Sequence, residues 1–411
     1  MNVEKKGSAV VIGGGAAGLY FSINAARLNP SLNVTILEKT ANLLSKVKVS
    51  GGGRCNVTHH CFDPETLSKA YPRGHKTLRW SFEQFQAKDT VEWFKERSVE
   101  LKTESDGRMF PVTDDSQTIV DCFLEEAKKY NVKIRTKTRV DKIEPSQQGF
   151  KLHLHKKEPI FCDVVLVATG GYNRESAYEW LKELGHSIVK PVPSLFTFNF
   201  RDKIFSELAG ISVENAEVHI EGTSFTERGP VLITHWGLSG PAVLKLSAWA
   251  ARELHDREYR YKIKVNWLYP FKESEVRQKL FELKERNLKK LVTKQDQFPF
   301  PSRLWEKFLQ LADVDTAKRW AEISNKNIHN LVQVLVHARY DIQGKTTYKE
   351  EFVTCGGIPL NEINPDTMES KIVPGLYFSG EVLNIDGITG GFNFQAAWTN
   401  SWLAAKAVAG R

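Results

Sequence analysis

The stretch Ala9–Leu19, AVVIGGGAAGL, decides the fold of this 411-residue chain. It opens on an apolar run of strand type, Ala9 to Ile12. Gly13, Gly15 and Gly18 then spell G-x-G-x-x-G, and a helix-forming segment continues from about Ala16 and Ala17 to Leu28. In such a unit the first glycine permits a tight turn and the second lets the backbone approach a phosphate. The third lets the helix pack against the strand, and the helix N-terminus faces the anion. A second apolar run, Asn33 to Leu37, ends at Glu38, which follows Gly18 by 20 residues. A carboxylate there accepts hydrogen bonds from ribose hydroxyls, which favours an unphosphorylated ribose: FAD or NAD, not NADP. Strand, glycines, helix, strand and acid in this order predict a dinucleotide-binding βαβ unit ending near Leu44.

The far end of the chain carries a second glycine-rich segment, GLYFSGEVLNIDGITGGFNFQAAW, from Gly375 to Trp398. It reads as a strand, then a turn bearing Gly380, Glu381, Asp386 and Gly387, then a helix entered through Gly390, Gly391, Phe392, Asn393 and Phe394, with Gln395 beyond. The helix start offers backbone N–H groups and a dipole, and Asp386 either binds a ribitol chain or caps the turn. A chain that uses both ends for one site has a discontinuous domain, a layout typical of FAD enzymes. The fold expected is α/β: a Rossmann-like FAD-binding domain made from 1–190 plus 350–411. A β-barrel-like domain, 191–270 plus 331–349, is inserted in it and itself carries a helical insertion, 271–330.

Three inner segments carry further chemistry. SGGGRCN, Ser50–Asn56, places Gly52 and Gly53 where backbone can approach a flat or anionic ligand, followed by Arg54, Cys55 and Asn56, with Lys46 and Lys48 adding positive charge just upstream. An apolar strand, Phe161 to Ala168, ends in ATGG, presenting Ala168, Thr169 and Gly170 as a second dinucleotide-facing strand end. THWGLSGP, Thr234–Pro241, offers His235 as an acid/base group, since an imidazole titrates near neutrality. Cys55 is either a proton donor or a packed small side chain. Its spacing to Cys61 does not match a redox pair, and no His or Cys spacing resembles a zinc site.

Composition is that of a globular chain, 41% hydrophobic and 26% charged. Five scattered cysteines do not suggest a disulfide framework. Met1–Ser8 is polar and unlike a signal peptide, and no apolar run approaches the ~18 residues of a membrane span, so a cytoplasmic protein without a membrane partner is expected. The net charge is +8, and 271–330 holds 13 Lys/Arg against 9 Asp/Glu, about half of that excess. Such a surface suits an anionic partner. If that partner is RNA, Lys289 and Lys290 are candidate phosphate contacts, and Trp305 and Trp320 are either stacking platforms or core. Helices are expected at Phe82–Arg97 and Ser116–Tyr130, and a strand at Asn330–Tyr340.

Taken together the motifs resemble the BaiN/RdsA-like (YhiN-like) family of NAD(P)/FAD-dependent oxidoreductases. The resemblance spans nearly the whole chain and rests on GGGAAG at Gly13–Gly18, K-x-x-x-SGGGRCN-x-T at Lys46–Thr58, GRMFPV at Gly107–Val112, ATGG at Ala168–Gly171, TH-x-G-x-SGP at Thr234–Pro241, VTCGGI at Val353–Ile358 and the GE…DG…GG-x-N-x-Q run ending at Gln395. It implies FAD contacts from Gly13, Gly15, Ala17, Glu38, Lys39, Lys46, Gly53, Arg54, Cys55, Val140, Thr169, Gly380, Asp386 and Gly391 to Phe394. Asn384 stands where the family often has Asp. The resemblance implies NADH or NADPH as a transient reductant and one of three substrates: a small conjugated enone, a uridine of large-subunit ribosomal RNA reduced to dihydrouridine, or an amine.

Overall fold

The computed structural model describes residues 7–347 and 353–411. The junction drawn at 349/350 and the first six residues lie outside them. The chain divides into two compact units, Met1–Ser194 with Tyr348–Arg411, and Leu195–Thr347.

In the first unit the run Ser8–Ile12 forms the central strand of a five-stranded sheet. Val164–Val167 lies on one side of it, with Leu376–Phe378 beyond; Asn33–Leu37 lies on the other, with Lys133–Arg135 beyond. All four pairings are parallel. A parallel sheet is covered on both faces, which is why these strands read as continuous apolar runs. The expected strand Phe161–Ala168 is divided: Ile160–Cys162 joins a separate antiparallel sheet and Val164–Val167 enters the parallel one. Asp163 sits at the break, its carboxylate accepting from the Ser8 N–H (2.7 Å) and hydroxyl (2.6 Å). The helix Ala16–Leu28 packs against the long helix Phe392–Ala409, where Ser401 Oγ donates to Ala17 O (2.8 Å). Both chain ends therefore share one core.

The second unit is a closed six-stranded barrel, in the order Thr197–Phe200, Gly237–Ser239, Thr226–Ile233, Ser212–Ile220, Arg260–Asn266 and Ala338–Thr346. Alternation decides which side chains fill it. In Arg260–Asn266 the buried residues are Tyr261, Ile263 and Val265, with Arg260, Lys262 and Lys264 between them facing out. The helices Glu273–Arg286, Ser302–Leu311 and Asn325–Val336 contribute to the same apolar core as the barrel strands.

Two further expectations of local structure are corrected. Asn330–Tyr340 is not one strand: the chain is helical over Asn325–Val336 and extended only from Ala338. The helix wins because Ile328, Leu331, Val332 and Leu335 recur at helical spacing and Ser324 caps it, accepting from the Asn327 N–H (3.2 Å). Phe82–Arg97 spans parts of two helices, His75–Gln84 and Ala87–Lys95, because Phe85 and Gln86 between them are extended. Trp305 and Trp320 are fully buried, their indole N–H groups donating to Val292 O and Lys294 O (both 3.0 Å), so neither is a stacking platform.

Candidate functional site

The glycine turn after the first strand is built by close backbone approach. Gly13 has φ +116, and a Cβ on it would run into the Ala168 carbonyl of the neighbouring strand end; a Cβ on Gly18 would meet the Gly13 carbonyl. These two glycines are needed for packing. Gly15 is different: its backbone is extended (φ −87, ψ −168), and a Cβ on it would meet nothing within 4 Å. The same holds for the Cβ positions of Gly52, Gly53 and Gly170. Gly52, Gly53 and Gly170 have φ of +71, +85 and +71, which favours glycine whatever the space, so Gly15 is the one of the four whose bare backbone neither packing nor conformation requires, and it fits a cofactor lying along it.

Gly15 also caps the helix Ala16–Leu28 without a side-chain partner, and the first turn has no acidic residue. Its N–H groups and dipole therefore suit an anion. Glu38 is held beside the turn, one carboxylate oxygen accepting from Gly14 N–H (2.9 Å) and the other from Thr40 N–H (2.7 Å). Thr138 N–H donates to the Glu38 carbonyl (2.8 Å), which ties the start of the strand Val140–Ser146 to the same corner. Lys39 is exposed and lies over the Tyr172 ring at 5.9 Å.

The SGGGRCN segment is a helical turn from Ser45 that breaks at Ser50, Gly51 and Gly52. It is tied to the C-terminal motif at several points. Lys46 Nζ pairs with Glu381 at 2.7 Å. With the Asn56 amide oriented so that its oxygen accepts from Gly391 N–H (2.9 Å), its nitrogen donates to Thr58 O (3.0 Å). Thr58 Oγ1 donates to the buried Gln395 (2.6 Å), and Trp398 Nε1 donates to Val57 O (2.9 Å). Gly380 lies against Ala17, where an added Cβ would come within 3.3 Å of the alanine methyl. The structure thus brings Gly13–Gly18, Glu38, Lys46, Gly52–Asn56, Ala168–Gly170, Gly380, Glu381 and Gly391 into one neighbourhood of the first unit.

Other candidate residues are engaged within the protein. Arg54 pairs with Glu104 (2.6 Å) and Asp114 (3.5 Å) and lies over the Phe110 ring at 4.0 Å. Asp386 is fully buried, its carboxylate taking both the Arg73 guanidinium and the Ser194 hydroxyl (2.9 Å). Burial pushes its pKa up, and the Arg73 charge and the hydrogen bonds oppose that shift. Arg73 and Ser194 were not anticipated; the only local sign is that Arg73 stands between a proline and a glycine. Phe392 is buried and stacks on His59 at 4.5 Å, Phe394 stacks on Trp398 at 5.6 Å, and Asn393 closes its own loop through Gly387 (2.8 and 3.1 Å).

Cys55 is fully buried, and burial pushes its thiol up to about 12. At neutral pH it is a neutral, packed group, poorly suited to give up a proton or attack an electrophile. None of the five cysteines is in a disulfide. In native protein at pH 8, iodoacetamide should leave Cys55 unmodified, and Cys55→Ala should keep full flavin content; labelling of Cys55, read by peptide mass, would return it to the catalytic candidates. His235 lies in the second unit, on the tight turn between Thr226–Ile233 and Gly237–Ser239. Thr234 fixes this turn, donating its N–H to Gly237 O (2.8 Å) and accepting from Gly237 N–H (3.1 Å), and His235 and Trp236 stand exposed at its tip. Among the described residues no cluster of His, Cys, Asp and Glu could hold a metal, and no helix is long and apolar enough to cross a membrane.

The model of the HI0933-like protein Rossmann domain matches residues 7–407. The chain belongs to this family. It is 28% identical over 420 residues to a 3-dehydro-bile acid delta(4,6)-reductase of Clostridium scindens, covering 98% of each chain. It is 29% identical over 410 residues to a ribosomal RNA dihydrouridine synthase of Escherichia coli, covering 97% of each. Among solved structures, a 3-ketosteroid delta1-dehydrogenase of Sterolibacterium denitrificans shares the fold, with a TM-score of 0.53 at 12% identity over 98% of this chain and 99% of that one. A 3-ketosteroid-delta4-(5alpha)-dehydrogenase of Rhodococcus jostii matches with a TM-score of 0.51 at 14% identity, over 98% of both chains. The family member described here is a flavin-dependent oxidoreductase with an FAD-binding fold.

Proposed function

We propose that the protein reduces a C=C bond conjugated to a carbonyl, with NADH or NADPH as the source of electrons. The reading is carried by one observation: the unobstructed backbone of Gly15 at a helix start, with Glu38 held beside the same turn, in a chain whose full-length relatives include both a bile-acid Δ4,6-reductase and dihydrouridine synthases. The substrates those names imply share one chemistry. A 3-oxo compound with Δ4,6 unsaturation and the uracil ring both hold an alkene conjugated to a carbonyl. FAD, when held by the first unit, would supply hydride-transfer chemistry to the far carbon. The protein must orient the carbonyl, exclude water and deliver a proton to the near carbon.

The residues of the first unit hold the dinucleotide: the helix start at Ala16 for the pyrophosphate, Glu38 for the ribose, and the SGGGRCN and Gly390–Gly391 segments for the isoalloxazine end. Of the two acid candidates offered by the sequence, His235 is the one left open, because Cys55 is buried and neutral. His235→Ala should lower turnover by about a hundred- to ten-thousand-fold, the usual worth of a positioned acid, with flavin content unchanged. Unchanged turnover would make the imidazole a feature of the turn only.

The deciding experiment is anaerobic. The holoenzyme is mixed with NADH or NADPH and, separately, with a 4,6-dien-3-one steroid and a uridine-containing ribosomal RNA fragment. Oxidation of the nicotinamide should accompany a mass gain of two hydrogens in one of the substrates. A flavin reduced by an amine and reoxidised only by oxygen would replace this reading with amine oxidation. A uridine of ribosomal RNA is the second reading, supported by the dihydrouridine synthases among the full-length relatives.

A further inference from the structure

The outer wall of the barrel in the Leu195–Thr347 unit bears a cleft of about 510 Å³. Strand alternation creates its floor. Val218, Ile220, Ile263 and Val265 turn into the barrel, so His219 and Lys264, which face each other across the two strands, turn outward. The segment after Asn266 then brings Tyr269, Phe271 and Lys272 to the rim, just before the helix Glu273–Arg286 begins.

The charges there are unbalanced in a specific way. The two carboxylates of the cleft are already satisfied: Glu217 pairs with Arg228 at 2.7 Å, and Glu273 pairs with Arg277 at 2.8 Å and with His337 at 3.0 Å. The backbone N–H of Lys272 donates to Glu275 (2.8 Å), but the ammonium groups of Lys264 and Lys272 have no hydrogen-bond or ion-pair partner among the described residues. Arg228 lies over the Tyr269 ring and Lys279 over the Phe271 ring, each at 4.7 Å, which adds positive potential to two aromatic groups. Phe271 is 37% exposed. Two free ammonium groups beside two rings match a ligand with an anionic end and a flat, polarisable end.

We infer that this cleft binds a nucleotide unit, the phosphate on Lys264 and Lys272 and the base against Tyr269 and Phe271. Its volume is within the range of about 300–1,000 Å³ typical of small-ligand sites, and stacking beside Lys and Arg is how sequence-tolerant nucleotide sites are built. The unit is either a free nucleotide or one residue of an RNA strand. The basic turn at Lys289 and Lys290 lacks the second element, since its exposed neighbours are Leu288 and Leu291 and the nearby tryptophans are buried. The inference does not depend on the reductase reading.

The test uses the full-length, FAD-loaded protein and two probes, uridine 5′-monophosphate and a fluorescein-labelled oligouridylate of about ten residues, long enough to cover a typical single-strand site. Lys264→Glu with Lys272→Glu should weaken binding at least about tenfold and make the slope of log affinity against log salt shallower by about 0.7, for the one phosphate the two lysines neutralise on a single strand. Phe271→Ala should weaken it by roughly tenfold while leaving that slope unchanged. Lys289→Glu with Lys290→Glu makes the same change in net charge and should have a much smaller effect. Binding and competition by the monophosphate would assign a free nucleotide; binding of the oligonucleotide alone would assign a strand. Equal losses from both lysine pairs, or no binding of either probe to the unaltered protein, would overturn the inference. Reduction of a small conjugated ketone should be the same in all variants, so a failure of the reductase reading is scored separately.

Discussion

Gly15→Asp should yield a folded, colourless protein. The backbone at residue 15 is extended, with φ −87, and an added Cβ would meet nothing within 4 Å, so the side chain costs the apoprotein no strain or clash. Aspartate is also a favoured N-cap residue, so the helix Ala16–Leu28 should be as stable or slightly more stable, by a few tenths of a kcal/mol. What the carboxylate opposes is a second anion at the helix start, where the pyrophosphate is expected. Flavin absorbance and FAD released on denaturation should fall to background, while thermal unfolding matches that of the unaltered protein stripped of FAD. Gly13→Ala is the contrast. At φ +116, with the Ala168 carbonyl in the way of a Cβ, it should destabilise the apoprotein itself by about 1–3 kcal/mol. If Gly15→Asp retained stoichiometric FAD, the cofactor would have to run elsewhere.

Removing Gly375–Arg411 should abolish FAD binding outright. The deletion takes away the edge strand Leu376–Phe378 and with it the partner of Val164–Val167. It also removes the helix Phe392–Ala409, whose buried side chains include Trp398, Leu403 and Val408. Each large apolar side chain contributes about 1.5–3 kcal/mol when buried, and a domain's whole margin is about 5–15 kcal/mol. The loss therefore exceeds what the first unit can absorb. Circular dichroism and FAD titration of the truncated protein would check this; unchanged affinity would mean that the two ends do not build one site.

The sequence made the dinucleotide unit legible because its signals are local. A tight turn, a close approach and a charged group beside the turn each need a particular residue type, so Gly13, Gly18 and Glu38 announce themselves. The barrel was visible as alternation, as in Arg260–Asn266. What escaped are features set by partners distant in the chain. Asp386 looked like a ligand group because it stands in a glycine-rich run, yet its partners are Arg73 and Ser194, 313 and 192 residues away. Arg54 looked free to meet an anion until Glu104 and Asp114 folded onto it. Asn330–Tyr340 read as a strand returning to the β domain, while the helical spacing starts upstream, at Ile328, outside that window. The cleft at Lys264 and Lys272 draws on segments from Glu217 to His337, too widely spaced for any local motif to reveal.

The shared core of Ala16–Leu28 and Phe392–Ala409 also imposes an order on biosynthesis. Translation delivers the glycine turn first and its supporting helix after the entire Leu195–Thr347 unit has been made. The barrel, with a core of its own, can mature in the interval, as domains generally fold as units. The nascent βαβ segment meanwhile lacks the helix that covers it and the strand Leu376–Phe378 that completes its sheet. Flavin capture is then a late event, and by mass action the supply of FAD at that moment raises the yield of native protein. Cells short of flavin should accumulate less of this protein through loss of the incomplete chain, even when its synthesis is unchanged.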